Sequence, residues 1–225
     1  MHKILQGVVG STAYGLATEN SDVDQIGIFA CDTVDLFGLK RVTDSVVTHE
    51  PDLTLHEVAK YCRLALAGNP TIMELMWLPN VMYTCMTPLG EQLIRIRGTF
   101  LSAPNVRNAY LGYATQQFHK LEARSDGSFS ADLRKRTAKH ARHLLRLCRQ
   151  GYTLYTTGRL EIVLEHPEDF HEFGERIANG DIELARRELK HYQHAFDVAT
   201  PMVPDKPDPG YAERWLRSVR REFYE

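Results

Sequence analysis

The residues with chemistry to offer lie near the start of the chain, in Gly10-Ser11-Thr12-Ala13-Tyr14-Gly15 and, further on, in Asp22-Val23-Asp24. A small-residue turn after an apolar strand presents backbone N–H groups, and a helix opening there adds the positive end of its dipole. Such a turn accepts phosphate oxygens, and the Ser11 hydroxyl is a further donor. Asp22 and Asp24 are separated by one residue, so on a strand they point to the same face. Two carboxylates that close repel unless a cation lies between them. Mg²⁺ takes carboxylate and phosphate oxygens together, so the pattern predicts a metal site beside a phosphate cradle. An Asp-x-Asp alone marks a solvated turn, and a Gly-Ser alone says less. The ordered series of strand, Gly-Ser, helix and Asp-x-Asp leading into a second strand is far more specific.

These residues need elements to hold them. Residues 4–9 read as a short buried strand, and Asn20-Ser21-Asp22 as a turn. The alternation in residues 24–29 predicts a second strand, with Asp24 on it. Asp52-Leu53-Thr54-Leu55 is a third strand candidate, running into a helix over 56–67 that stops at Gly68-Asn69-Pro70. Beyond residue 100 the pattern is helical: 105–123, then 131–150 ending at Gly151 with 152–157 as a further turn, then 182–199. Four prolines at 201, 204, 207 and 209 make an extended connector. A last amphipathic helix over 211–224 places Tyr211, Trp215, Val219 and Phe223 on one stripe that packs on the protein body. The expectation is an α+β fold with a short mixed sheet in residues 1–100 and a C-terminal helical unit in 101–225.

With 225 residues, 43% of them hydrophobic and 25% charged, the chain can bury a sizeable core without staples. The formal net charge of −2 excludes a binder that works through a global basic field. The charge is uneven, however. Residues 1–60 hold four basic side chains (Lys3, Lys40, Arg41, Lys60) against nine acidic ones. Residues 117–150 hold nine basic ones, Arg124 among them, against Glu122, Asp126 and Asp132. An acidic unit for cations and a basic one for phosphates suit a polyphosphate with bound metal, although a basic run is also what a solvated helix face looks like. Lys139, His143 and Arg146 fall on one helical face and could clamp a triphosphate or an acceptor backbone. They could equally be surface charges paired with acids such as Glu122.

Other candidates are weaker. His140 with His143 and His191 with His194 have a spacing a metal can use, but neither pair has a third ligand nearby. Tyr14 and Tyr83 could stack on a base or simply pack. The cysteines at 31, 62, 85 and 148 form no C-x-x-C pair and the first residues lack a signal peptide's apolar region, so a reducing, cytoplasmic setting is expected. No apolar stretch reaches bilayer length, so no membrane partner is expected.

Gly10, Ser11, Asp22 and Asp24 resemble the signature of the DNA polymerase beta superfamily of nucleotidyltransferases. The variant Gly10-Ser-Thr-Ala-Tyr-Gly-Leu-Ala is similar to that of predicted nucleotidyltransferases associated with RNA repair gene clusters. So are Leu64-Ala-Leu-Ala-Gly-Asn-Pro-Thr-Ile-Met-Glu-Leu and Lys139-His-Ala-Arg-His-Leu-Leu-Arg-Leu. The resemblance implies a polymerase-beta-like core in residues 1–100 and a third carboxylate on a later strand. Asp52 fits that place because apolar alternation follows it, with Glu50 the runner-up. It also implies transfer of a nucleoside monophosphate from a nucleoside triphosphate to a hydroxyl, with two Mg²⁺ ions (or Mn²⁺) held by Asp22, Asp24 and Asp52. Gly10 and Ser11 would hold phosphate, joined by Lys139, His143 and Arg146, and an RNA end is the suggested acceptor. Nucleotidylation of a protein or small molecule, and a non-catalytic nucleotide-binding or antitoxin-like partner protein, are the competing readings. Donor base, template use and oligomeric state are not legible.

Overall fold

Five strands make one mixed sheet in the order β3-β4-β2-β1-β5 in a computed structural model, which describes residues 1–19, 21–39, 41–123 and 131–224. The strands are β1 (His2–Val8), β2 (Gln25–Ala30), β3 (Ser45–His49), β4 (Asp52–Glu57) and β5 (Tyr83–Met86). Asn20 of the expected turn, Lys40, and Arg124 and Asp126 of the charged segment lie outside the described residues. β1 pairs antiparallel with β2 and β5, β3 antiparallel with β4, and β2 parallel with β4. β2 is central and buried along Ile26–Ala30. One face of the sheet gathers Phe29, Leu53 and Leu55, with Val46 packed against them.

The chain divides into two compact units: residues 1–102 with 206–225, and residues 103–205. In the first, the helices are α1 (Gly10–Tyr14), α2 (Val58–Leu66), α3 (Pro70–Glu74), α4 (Pro88–Arg95) and α9 (Pro209–Glu222). Asn69 does not simply stop a helix: its side chain accepts from Ile72 N and caps the start of α3. α9 belongs to this sheet-bearing unit, where the sequence reading carried the helical unit through to residue 225. The reason is its apolar stripe. Ala212, Trp215 and Val219 are buried, and Trp215 Nε1 donates to Leu89 O at 3.0 Å. Tyr211, expected on that stripe, is 49% exposed.

The second unit is helical, with α5 (Ala103–Glu122), α6 (Ala131–Thr157), α7 (Pro167–Ala178) and α8 (Ile182–Val198). α6 runs straight through Gly151, where the sequence pattern suggested a stop. A Cβ at Gly151 would come within 2.5 Å of Tyr110 Cβ, so glycine is there to let α5 and α6 approach, not to end a helix. Gly151→Ala therefore trades a helix-propensity gain of about 1 kcal/mol for an overpacking cost of about 1–3 kcal/mol. The expected result is a lower Tm in thermal unfolding, against the direction propensity alone would give.

Candidate active site

β1 ends at Val8, and the chain turns at once into α1, a helix of only five residues. Its N-cap, Val9, brings no side-chain acceptor to the first turn. At its other end Gly15 is left-handed, at φ 78°, and closes the helix. Tyr14 fixes its position: the hydroxyl, buried with its helix, donates to Glu74 Oε2 at 2.6 Å. Tyr14 is thus a packing residue, as one of the two readings had it. Tyr83 likewise donates to Leu75 O at 2.8 Å.

The sequence pattern places Asp24 on the second strand and Asp22 in the turn before it. β2 begins only at Gln25, so both precede it and Asp22 is exposed in the loop. Asp24 is nonetheless tied into the ladder, because its carbonyl accepts from Val9 N at 2.9 Å. Its carboxylate lies against Gly10. A Cβ at Gly10 would overlap Asp24 Oδ2 and stand 3.2 Å from Asp24 Cβ and Cγ, and Gly10 has φ 69°. Ser11, the next residue, is half-buried in the same turn.

Asp52 opens β4 and pairs with His49 across the β3–β4 hairpin, while Glu50 sits in the hairpin turn. The parallel register begins at Gln25↔Leu53. Asp24 and Asp52 are the residues immediately before that first rung, so both lie at the same end of the two strands. The backbone therefore brings Asp24, Asp52 and the Gly10-Ser11 turn to one end of the sheet. Among the described residues no three His, Cys, Asp or Glu side chains converge closely enough to hold an ion. Carboxylates with no cation between them repel, so close convergence is not their preferred arrangement. The donor set still fits a hard cation: carboxylate oxygens, beside a turn that only glycine leaves open.

The α6 trio separates. Lys139 is exposed, His143 is partly buried and Arg146 is 1% exposed. Arg146 Nη1 donates to Gln150 Oε1 at 2.5 Å and Nη2 to His143 Nδ1 at 3.1 Å. Gln150 Nε2 donates in turn to Glu161 O at 2.7 Å. Arg146 and His143 are thus parts of a buried polar chain along α6, not the surface charges of one reading. Gln150, four residues from Arg146 on the same face, is the partner the sequence reading missed; the i, i+4 spacing was the available signal. Burial, and the positive charges of Arg146 and its neighbours, push His143 down to about 3. His140 is held by Gln117 at 2.8 Å.

A sheet that orders Gly-Ser, a short helix, and acids at the start of neighbouring parallel strands is the core of a polymerase-beta-like nucleotidyltransferase. A family model described as "RNA repair pathway DNA polymerase beta family" matches residues 2–195, and the chain belongs to that family. A solved structure of a nucleotidyltransferase-like protein from Exiguobacterium sibiricum 255-15 is similar at TM-score 0.38 and 11% identity, over 98% of this chain and 74% of that one. No curated protein matches the chain. Among the described residues no helix is long and apolar enough to cross a membrane.

Two outcomes follow from the geometry. Gly10→Ala meets both a left-handed backbone and the Asp24 carboxylate, whereas Gly15→Ala meets only the backbone penalty, since nothing lies within 4 Å of its Cβ. Denaturant titration should show Gly15→Ala losing about 1–2 kcal/mol and Gly10→Ala clearly more. For His143 the folded form stays neutral while the unfolded one protonates near 6.5. Stability is then fully present above about pH 6.5 and falls as pH drops towards 3, by up to about 1.4 kcal/mol per unit. Between pH 7 and 5, wild type should lose about 2 kcal/mol more than His143→Gln.

Proposed function

We propose that the protein transfers a nucleoside monophosphate from a nucleoside triphosphate to a hydroxyl, with an RNA end as the acceptor. The observation that carries this reading is the Gly10 turn closed over Asp24, with Asp52 at the same end of the sheet. Asp22, Asp24 and Asp52 are the residues that would hold Mg²⁺ or Mn²⁺. When bound, the ions would neutralise the triphosphate and lower the pKa of the attacking hydroxyl. Gly10 and Ser11 receive β- and γ-phosphate oxygens on backbone N–H groups and the serine hydroxyl. The acceptor oxygen attacks the α-phosphorus, the bond to the β-phosphate oxygen breaks, and pyrophosphate leaves. Asp52 takes the hydroxyl's proton. Lys139, exposed on α6, is assigned a phosphate contact, with His143 and Arg146 supporting the helix behind it. Four free thiols are in keeping with a cytoplasmic setting.

The test offers each α-labelled nucleoside triphosphate with Mg²⁺ or Mn²⁺ to RNA, DNA, protein extract and small metabolites in turn. Label is expected on RNA. Label on protein or metabolites would redirect the reading to nucleotidylation of that class, and no label anywhere to a nucleotide-binding partner protein. Asp24→Ala and Asp52→Ala, folded by circular dichroism, should lose about 10³-fold in rate, or about 4 kcal/mol of transition-state stabilisation. Glu50→Ala should keep nearly all of it. Lys139→Ala should weaken nucleotide affinity without altering the fold. Full activity in Asp24→Ala would reject the assignment.

A further inference from the structure

The two parallel strands that begin just after Asp24 and at Asp52 share a single guanidinium at their other end. The last matched rung of β2 and β4 is Phe29↔Glu57. There Arg220 of α9 places Nη2 2.6 Å from Glu57 Oε1, with side-chain exposures of 16% and 7%. Its Nη1 donates to the sulfur of Cys31, the residue after β2, at 3.7 Å. The main chain of the same helix end closes on the exit from β2. Thr33 N donates to Phe223 O at 2.6 Å, and Thr33 Oγ1 to Arg220 O at 2.7 Å. Glu57 Oε2 meanwhile accepts from Ala59 N at 2.8 Å and caps α2. α9 lies outside residues 2–195, the span of the family match.

A parallel pair has no hairpin turn between its strands to set their register. Between β2 and β4 the chain travels through β3. A slip of one residue would bring Asp52 opposite Gln25 or Val23 and turn every β4 side chain to the wrong face. The apolar cluster of Phe29, Leu53 and Leu55 resists such a slip, but apolar contact is not directional. A shielded ion pair is: displacing Glu57 by one position leaves a buried carboxylate and a half-buried guanidinium unmatched.

We propose that Arg220 is a positioning residue. Acting through Glu57 and Cys31, it locks the register of β2 on β4 and so keeps Asp24 and Asp52 side by side. It touches neither nucleotide nor ion. The inference rests on the reading of those acids as a working pair.

The experiment compares the full chain with Arg220→Met and Arg220→Lys, using Mn²⁺ binding by electron paramagnetic resonance and amide exchange by mass spectrometry. Arg220→Met is expected to keep its far-ultraviolet dichroism and to weaken Mn²⁺ binding roughly 10- to 100-fold, as loss of an outer support does. Its exchange should rise in peptides covering 21–30 and 51–57 while α5 and α6 stay protected. Arg220→Lys, which keeps the charge, should fall between it and wild type. Unchanged Mn²⁺ binding and exchange would overturn the proposal, as would a uniform rise in exchange through all helices, the mark of lost global stability alone. Where Arg220→Met does not fold, Arg220→Lys decides by the same two readings. If wild type binds no Mn²⁺ and transfers no nucleotide, the reading of the site fails instead. Exchange at 21–30 and 51–57 then still reports whether Arg220 holds the register.

Discussion

Carboxylates brought close together repel, and the main-chain hydrogen bonds of the sheet are what bring Asp24 and Asp52 to the same end of it. Asp24 is anchored through its carbonyl to Val9 N, and Asp52 through its hairpin partner His49. The backbone thereby holds both acids at that end of the sheet against their mutual repulsion. It also explains why position 10 must be glycine. The chain leaves β1 beside Asp24 and turns with a positive φ in contact with its carboxylate, and a side chain there would occupy the place of the oxygen.

The helical unit solves a different problem. α6 carries an arginine and a glutamine into its interior, where each polar atom left without a partner would be costly. Arg146, Gln150 and His143 answer one another along a single face, and Gln150 passes the last bond to the backbone at Glu161. Of these bonds only the one from Gln150 to Glu161 O leaves α6, and it ties the helix face to the segment that follows the helix. Gly151 complements them by letting the Tyr110 ring lie directly on the helix backbone.

Much of the fold was legible where pattern and period agree. The alternation of β4 after Asp52 and the buried half of α9 are periodic enough to be read directly, while α5 is legible as a run with almost no proline or glycine. β3 and β5 were not read, because each is a short edge strand whose side chains are largely exposed, so neither carries a clear hydrophobic period. α7 was missed although Pro167 opens it and Glu168 and Asp169 occupy its first turn. Asn69 showed a turn residue whose role depends on which side of it the helix lies.

The sequence by itself determined the order of chemical parts: a glycine–serine turn, a short helix and two acids spaced by one residue, with a third acid implied only by the family resemblance. That order rests on local rules, the side-chain period of two and the small-residue turn, which need no knowledge of distant neighbours. Tertiary structure decided which parts meet. Only the β2–β4 register sets Asp52 at the same end of the sheet as Asp24, only helix packing encloses Arg146 beside Gln150, and only the return of α9 brings Arg220 to Glu57. Each joins residues whose contact depends on the path of the chain between them or on burial, and neither is written in the spacing of a motif.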